Sequence, residues 1–422
     1  MKRGVFLISI IVFILISCNN SDIRSDGVCT ILDVENTVGK GRIVNLSEIA
    51  TSIRYIPLET SKNSVLGSPV VLYEKGRIYI RTSGKTKVFD TLGKYLFTFD
   101  RRGRGPEEYS YASNPTIVGY NGDITITERK GDSTILKYYS RDGIFVKDIA
   151  VPNPNDNFLV NTVVLNPNLY IVHISNSLLR PERKNIAILF DSLSNLIGFV
   201  PKPVVKMKRK KNDVRTIVLG NKTVNIDAGD ISDYLKISRD KINVYSSLGD
   251  TIYRFEKGEL KPEYALFYGK YKKENYVIPQ NPHEIANDFI NISNFIYFET
   301  DVFLLIELNL RGFAHEPYKG SPFIFGNKSN RNTSLALFNK ETNEFTIMNQ
   351  PVKGCPGFRD NLMSGPPFNP HYLSYDGHIA TIFYPGTLIS YASENTVSEE
   401  FKKMVAGLKE TDNPVVAIAK LK

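Results

Sequence analysis

Short apolar runs separated by turn-forming residues recur along most of this 422-residue chain. In six places two such runs flank a turn, at residues 69–73 and 78–80, 116–120 and 124–126, 160–165 and 169–174, 234–237 and 242–245, 292–298 and 302–306, and 372–375 and 379–383. Asn-Gly at 121–122 and Asp-Gly at 376–377 are among the strongest local signals for a β-hairpin. The pattern therefore predicts six antiparallel strand pairs.

A third and a fourth apolar run follow most of these pairs. The third runs lie at 88–90, 138–139, 187–190 and 336–338, and the fourth at 95–99, 144–149, 197–200, 264–267 and 345–348. The aromatic residues Phe89, Tyr139 and Phe190 near the ends of the third runs are spaced 50 and 51 residues apart. A four-stranded repeat of about 40–50 residues is typical of a β-propeller blade. Residues 76–109 form its clearest copy.

These repeats predict an all-β fold, a six-bladed β-propeller of four-stranded antiparallel blades. Five or seven blades would follow if a unit within residues 201–300 is divided differently. Strand-like segments near both ends, at 53–58 and 414–421, indicate a ring in which an end strand completes the last blade. Helical periodicity is clearest at 397–408, so we expect one short C-terminal helix.

The N-terminus has the features of a secretory signal. Lys2 and Arg3 precede twelve uncharged residues, 5–16, and Leu15-Ile16-Ser17-Cys18 follows. The apolar run is shorter than the ~20 residues of a membrane-spanning helix. The segment before Cys18 resembles a bacterial lipobox, which implies cleavage before Cys18 and lipid on its thiol; the alternative is an ordinary cysteine near the cleavage site. We expect a signal peptide at 1–17, a polar tether at 18–40 and the propeller domain at 41–422.

Charge and cysteine content add little about chemistry. The formal net charge is +9, and an exported basic protein is more available to anionic lipid or polysaccharide than to nucleic acid, which we do not expect as a partner. Cys29 and Cys355 are the only cysteines besides Cys18, and the sequence leaves open whether they form a disulfide. No metal or cofactor motif is present, so we expect no cofactor.

Several of these segments together carry a family resemblance. Residues 78–80, Val88-Phe89-Asp90, Gly93 and the loop 103–106 look like an NHL-type blade. With residues 55–60 before them and the lipobox, the chain resembles the six-bladed β-propeller lipoproteins common in Bacteroidetes. The resemblance implies the propeller fold and a lipid-anchored position in the bacterial cell envelope, at the outer membrane on its periplasmic or surface face. It implies no activity.

The propeller geometry predicts where a ligand would bind. When strands are counted from the axis outward, the turns between second and third strands share one face with the connections between blades. The residues at the ends of the second strands should therefore form a ligand-binding rim on that face: Arg81, Glu128, His173, Ser246, Glu307 and Tyr384. Propellers generally bind ligands around this end of the central channel, although each residue could also be an ordinary solvated loop end.

Other motifs give weaker signals. The loop 101–105 (RRGRG) could be a phosphate cradle, but Pro106 removes an amide donor and a tight connection between blades fits it better. The basic run 206–211 could bind anionic lipid or glycan, or be a solvated loop. His371 and His378 flank a predicted turn and could share a metal only with the right strand register.

Two functions remain open from the sequence. The first is a membrane-anchored envelope module that binds a glycan, a peptide or a protein partner at the rim, or acts as a scaffold. The second is a propeller lyase or hydrolase that uses His, Glu and Tyr residues at the central channel, as NHL-type propeller enzymes do. We assign no catalytic residue and no metal ligand.

Overall fold

A computed structural model describes residues 29–110, 116–117, 120–154, 159–174, 184–204, 214–219, 222–227, 233–272, 289–319 and 330–422. In chain order, the strands are β1 (Thr30–Asp33), β2 (Ala50–Pro57), β3 (Val70–Glu74), β4 (Arg77–Thr82), β5 (Lys85–Phe89), β6 (Tyr95–Phe99), β7 (Thr116–Ile117), β8 (Ile124–Lys130), β9 (Ser133–Tyr139), β10 (Phe145–Val151), β11 (Leu159–Asn166), β12 (Leu169–Ile174), β13 (Asn185–Phe190), β14 (Leu196–Pro201), β15 (Val214–Leu219), β16 (Lys222–Asp227), β17 (Asp233–Ser238), β18 (Lys241–Ser246), β19 (Thr251–Glu256), β20 (Glu259–Phe267), β21 (Asn291–Glu299), β22 (Phe303–Asn309), β23 (Tyr318–Lys319), β24 (Asn330–Arg331), β25 (Thr333–Asn339), β26 (Glu344–Ile347), β27 (Tyr372–Leu373), β28 (His378–Phe383) and β29 (Val415–Leu421). The helices are α1 (Val34–Thr37), α2 (Pro385–Glu394) and α3 (Glu399–Ala406).

Six blades of four antiparallel strands each, within the described residues, confirm the predicted six-bladed propeller. From the innermost strand outward they are blade 1 (β3-β4-β5-β6), blade 2 (β7-β8-β9-β10), blade 3 (β11-β12-β13-β14), blade 4 (β17-β18-β19-β20), blade 5 (β21-β22-β25-β26) and blade 6 (β27-β28-β29-β2). The hairpins β15–β16 and β23–β24 are additions to this ring. The first lies in the region where the blade count was open from the sequence, and it is inserted between blades 3 and 4.

The N-terminal strand β2 closes the ring. It forms the outermost strand of blade 6 and pairs antiparallel with the C-terminal strand β29, with Ile53 opposite Ala419 and Tyr55 opposite Ala417. The Tyr55 hydroxyl, buried in this blade, donates to Asp360 Oδ2 at 2.8 Å. Because the two ends of the chain share one sheet, separating the blades requires breaking this strand pair.

Each blade packs against both of its neighbours, and the apolar core is divided accordingly. Among the described residues, six buried clusters occur, one at each interface between adjacent blades. In β4, the consecutive residues Ile78, Tyr79 and Ile80 are all fully buried. A strand that is covered on both faces needs apolar residues without alternation, which explains why the second runs of the sequence pattern are continuously apolar.

The segment that we expected to be a tether contains part of the fold. β1 pairs in parallel with β20 and adds a fifth strand to the outer edge of blade 4. Leu32 and Val34 are fully buried there, and α1 follows. The fold therefore begins before residue 40, where we expected the tether to end. The segment is mostly polar, but its two apolar side chains are enough to pack on the edge of blade 4.

The predicted C-terminal helix is α3, which lies within residues 397–408 and buries Phe401 and Val405. A second helix that the sequence analysis did not anticipate, α2, precedes it, and both are inserted between β28 and β29. Within the described residues, no helix is long and apolar enough to cross a membrane. Cys29 and Cys355 are both free thiols.

Candidate functional site

The six predicted rim residues lie at or near the end of a second strand, or directly after it. Arg81, Glu128, His173, Ser246 and Glu307 belong to β4, β8, β12, β18 and β22, and Tyr384 follows β28 directly. In an antiparallel blade these ends share one face with the connections between blades. We call this face the rim face.

Three of the six side chains are buried. The exposed fractions of Glu128, Ser246 and Glu307 are 1%, 1% and 4%. Glu128 Oε1 accepts hydrogen bonds from the backbone N–H and the hydroxyl of Ser110, both at 2.7 Å. Side chains that are this buried can hold neighbouring loops in place but cannot by themselves meet a ligand arriving from solvent.

Arg81, His173 and Tyr384 are only partly buried. Burial lowers the pKa of Arg81, and Nε of its guanidinium has no hydrogen-bond partner among the described residues. Burial and the nearby charge of Lys236 lower the pKa of His173 to about 4, and its Nε2 is also unpartnered in the described structure. His173 is therefore a neutral imidazole at pH 7, and its unpartnered Nε2 is buried.

The loop after blade 1 is a structural connection. The Gly103 N–H donates to the Tyr109 carbonyl at 3.0 Å, and the Gly105 N–H donates to Glu108 Oε2 at 2.8 Å. The buried ammonium of Lys137 holds the loop from blade 2 by donating to the Pro106 carbonyl at 2.7 Å. The carboxylate of Glu108 already occupies the place that a phosphate would take at Gly105, so the loop offers no preformed anion cradle.

A shallow cavity of about 250 Å³ lies beside this loop, lined by Arg101, Gly105, Pro106, Glu107, Glu108 and Phe145. The basic run 206–211 lies outside the described residues.

Blade 5 provides functional candidates that the sequence analysis missed. In the innermost strand β21, the four residues 293–296 lie opposite a single residue of β22, Glu307. They therefore form a large bulge. Phe295 within this bulge is 57% exposed, and the Arg331 guanidinium lies over its ring, 5.1 Å from the centroid. We call residues 293–296 the blade 5 bulge. The sequence signal for it was weak, because the run 292–298 reads as an ordinary strand until its pairing is known.

Lys236 links the bulge to the predicted rim. Its ammonium, on the innermost strand of blade 4, donates to the Asn294 carbonyl at 2.5 Å. Burial lowers the pKa of Lys236 to about 8, while the negative charge of Glu307 opposes that shift. Both Glu307 oxygens accept from hydroxyls, from Ser293 at 2.6 Å and from Thr333 at 3.0 Å. The charge of Lys236 thus acts on His173 of blade 3, and the charge of Glu307 of blade 5 acts on Lys236.

The two histidines of blade 6 do not share a site. His371 Nδ1 is bonded to Thr381 Oγ1 at 2.9 Å, whereas His378 Nδ1 is bonded to Asp376 Oδ1 at 2.8 Å. His371 remains accessible to solvent but is enclosed by protein on most sides, and burial together with Arg331 lowers its pKa to about 4. In the described part of the chain, no three His, Cys, Asp or Glu side chains are grouped as metal ligands.

The fold and this rim define a six-bladed β-propeller with an ionisable cluster at one face. A family model described as "Domain of unknown function (DUF4934)" matches residues 29–420, and the chain belongs to that family. The match begins close to β1, which agrees with the inclusion of that strand in the fold. No curated protein matches the chain.

Solved structures show the same fold at low sequence identity. A protein from Bacteroides fragilis NCTC 9343, provisionally named as exported, is 14% identical, with a TM-score of 0.56 over 93% of this chain and 100% of its own. A member of the DUF4221 family from Bacteroides vulgatus ATCC 8482 is 12% identical, with a TM-score of 0.50 over 88% of this chain and 97% of its own. At such identities the likeness concerns the fold alone.

Proposed function

We propose that this protein is a binding module of the bacterial cell envelope, anchored by lipid on Cys18, which holds a glycan, peptide or protein partner at its rim face. The observation that carries the proposal is a link across three consecutive blades. Lys236 of blade 4 donates to the Asn294 carbonyl of blade 5, its charge lowers the pKa of His173 of blade 3, and the charge of Glu307 of blade 5 acts on Lys236. Ionisable groups whose pKa values are shifted by burial and by neighbouring charges, here His173 and Lys236, are typical of a functional site.

The envelope location rests on the N-terminal signal, the lipobox-like segment and the family resemblance. The similar B. fragilis protein is provisionally named as exported, and this is consistent with an envelope location.

The test is binding of the full chain to arrays of envelope glycans and peptides. Arg81→Gln and Glu307→Gln should each weaken binding of a hit by at least fivefold, because the first removes a rim cation and the second the charge beside Lys236. Glu256→Gln is the matched control, since that carboxylate is on the third strand of blade 4 and is 52% exposed. Retention of every hit by both rim variants would contradict the proposal.

The second candidate is a propeller lyase or hydrolase. It is favoured by the neutral His173 imidazole, with its unpartnered Nε2, beside a lysine of lowered pKa. Mass spectrometry of array hits after incubation with the chain would detect cleavage. Products that disappear with His173→Ala would establish the enzyme, and intact ligands would leave binding as the function.

A further inference from the structure

The blade 5 bulge is built into the protein at several points. Ser293 donates to Glu307 and accepts the Tyr245 hydroxyl at its carbonyl at 3.0 Å, while Lys236 bonds the Asn294 carbonyl. The segment therefore has a defined shape although four of its residues face one partner. Bulges of this kind commonly re-aim side chains next to binding sites.

Its exposed side chain is apolar. Of the two phenylalanines that are highly exposed in the described residues, Phe267 lies on the outer part of blade 4, and Phe295 lies on an innermost strand. An apolar ring left in water near the axis, with a guanidinium over it, forms a flat surface of aromatic and cationic character. Such surfaces stack well on rigid rings.

Two cationic side chains meet at the bulge. Lys236 of blade 4 donates to the Asn294 carbonyl, and the Arg331 guanidinium lies over the Phe295 ring. The charge of Lys236 also acts on His173 of blade 3, and that of Arg331 acts on His371 of blade 6. Among the described residues, Glu307 is the carboxylate whose charge acts on Lys236. Its two oxygens already accept hydrogen bonds from the hydroxyls of Ser293 and Thr333. At neutral pH the ammonium and guanidinium are the dominant charges at the surface, so an anionic group is favoured there.

We propose that the blade 5 bulge binds an acidic glycan. Phe295 and the Arg331 guanidinium would support the face of a sugar ring, and Lys236, with His173 beside it, would bind the carboxylate or sulfate group that the ring carries. A sugar acid combines a rigid ring with an attached anion, which are the two groups that an aromatic ring and an ammonium recognise. The inference rests on the proposed binding function and narrows its ligand class.

The experiment is calorimetric titration of the full chain with four probes: an oligogalacturonate, a heparin-derived oligosaccharide, maltohexaose and an oligoglutamate peptide. We expect an acidic oligosaccharide to bind at least tenfold more tightly than maltohexaose and the peptide. The first two probes distinguish a carboxylate from a sulfate ligand. Phe295→Ala and Lys236→Gln should each weaken that binding by about tenfold.

The matched controls are Phe267→Ala and Lys261→Gln, which remove an exposed ring and an exposed ammonium from β20. They should bind as the parent chain does. Phe295 is largely exposed, so its variant should fold even if Lys236→Gln does not, and thermal unfolding checks both.

Unchanged affinity in Phe295→Ala would overturn the inference, as would preferential binding of maltohexaose or the peptide, or no binding of either acidic probe. If array hits of another class still depend on Arg81 or Glu307, the proposed binding function stands and only the acidic-glycan inference fails. If no hit depends on Arg81 or Glu307, the proposed binding function fails, and the acidic-glycan inference that rests on it fails too.

Discussion

Glu299 shows at the scale of single residues how a buried charge can be stabilised between two blades. Its carboxylate is fully buried and accepts hydrogen bonds from Asn243, Arg254, Tyr264, Tyr297 and Lys340, at 2.6–3.2 Å. Burial alone would raise the pKa of Glu299, but Lys340 and Arg254 outweigh it and lower the pKa. The donors come from blades 4 and 5 and join them.

Glu299→Gln should destabilise the protein by about 3–5 kcal/mol, because Arg254 and Lys340 would be left without their buried counter-charge. The control is Glu256→Gln, which breaks an exposed pair with Lys261 and should cost less than about 1 kcal/mol. Urea unfolding measures both. Equal midpoints for the two variants would show that the network contributes no more than a surface pair.

Glu74 is a fully buried carboxyl group whose pKa is shifted in the direction opposite to that of Glu299. Burial raises its pKa to about 8, although the Tyr372 hydroxyl, at 2.6 Å, and the Tyr375 N–H donate to it and oppose the shift. An unfolded glutamate has a pKa of about 4.3. Between these two values the folded state binds the proton more tightly, so the stability falls as pH rises through this window.

Glu74→Gln should therefore reduce the loss of stability between pH 5.5 and 8.5 by an amount on the order of a few kcal/mol. The neutral amide can still accept from Tyr372 without the cost of burying a charge. Glu259→Gln, at an exposed position of β20, serves as control and should follow the parent chain. An unaltered pH dependence in Glu74→Gln would mean that other groups produce it.

At the scale of elements, β1 contributes to stability although it lies outside the four-stranded pattern. It covers the outer edge of blade 4 in parallel with β20, and its residues alternate between core and solvent. Adjacent positions Ile31 and Leu32 are 67% and 0% exposed. This contrast makes a matched pair for mutation.

Leu32→Ala should cost about 2–5 kcal/mol, whereas Ile31→Ala should cost less than about 0.5 kcal/mol. The first leaves a cavity against blade 4, and the second removes an apolar group that already faces water. Thermal unfolding of the two variants measures the difference. Similar melting temperatures would indicate that β1 does not pack on blade 4.

At the scale of the whole molecule, β2 closes the ring as the outermost strand of blade 6, and β1, earlier in the chain, lies along the outer edge of blade 4. A lipid on Cys18 would hold the propeller at a bilayer through this edge, with about 0.8 kcal/mol for each buried methylene of the acyl chains.

Cys18→Ala should shift the protein from the membrane fraction to the soluble fraction, because the attachment thiol is lost. Cys29→Ala is the control, since Cys29 is a free thiol near β1 and its variant should stay with the membrane. Fractionation and immunoblotting give the result. A membrane-bound Cys18→Ala chain would be evidence against lipidation at this position.

The sequence alone determined the fold, because a blade depends on local features. Turn residues such as Asn121-Gly122 and Asp376-Gly377, together with apolar runs of strand length, specify hairpins without knowledge of the rest of the chain. Counting them favoured six blades and a closing end strand, although the count within residues 201–300 stayed open until the hairpin β15–β16 was seen to be an insertion. The residues near the ends of the second strands could also be named, and five of the six belong to those strands, whereas their role as a ligand-binding rim stays a prediction.

Only the tertiary structure decided which polar groups meet and which are buried. In the sequence, nothing distinguishes Glu128 and Glu307 from exposed carboxylates at the rim. In the structure, hydroxyl and amide donors from other segments enclose both side chains. Lys236, Phe295 and Arg331 come from two blades and an inserted hairpin, and their proximity depends on strand register and on the blade 5 bulge. The local pattern of apolar and turn residues predicts strands. Contacts between segments that are distant in the chain form only when the ring closes.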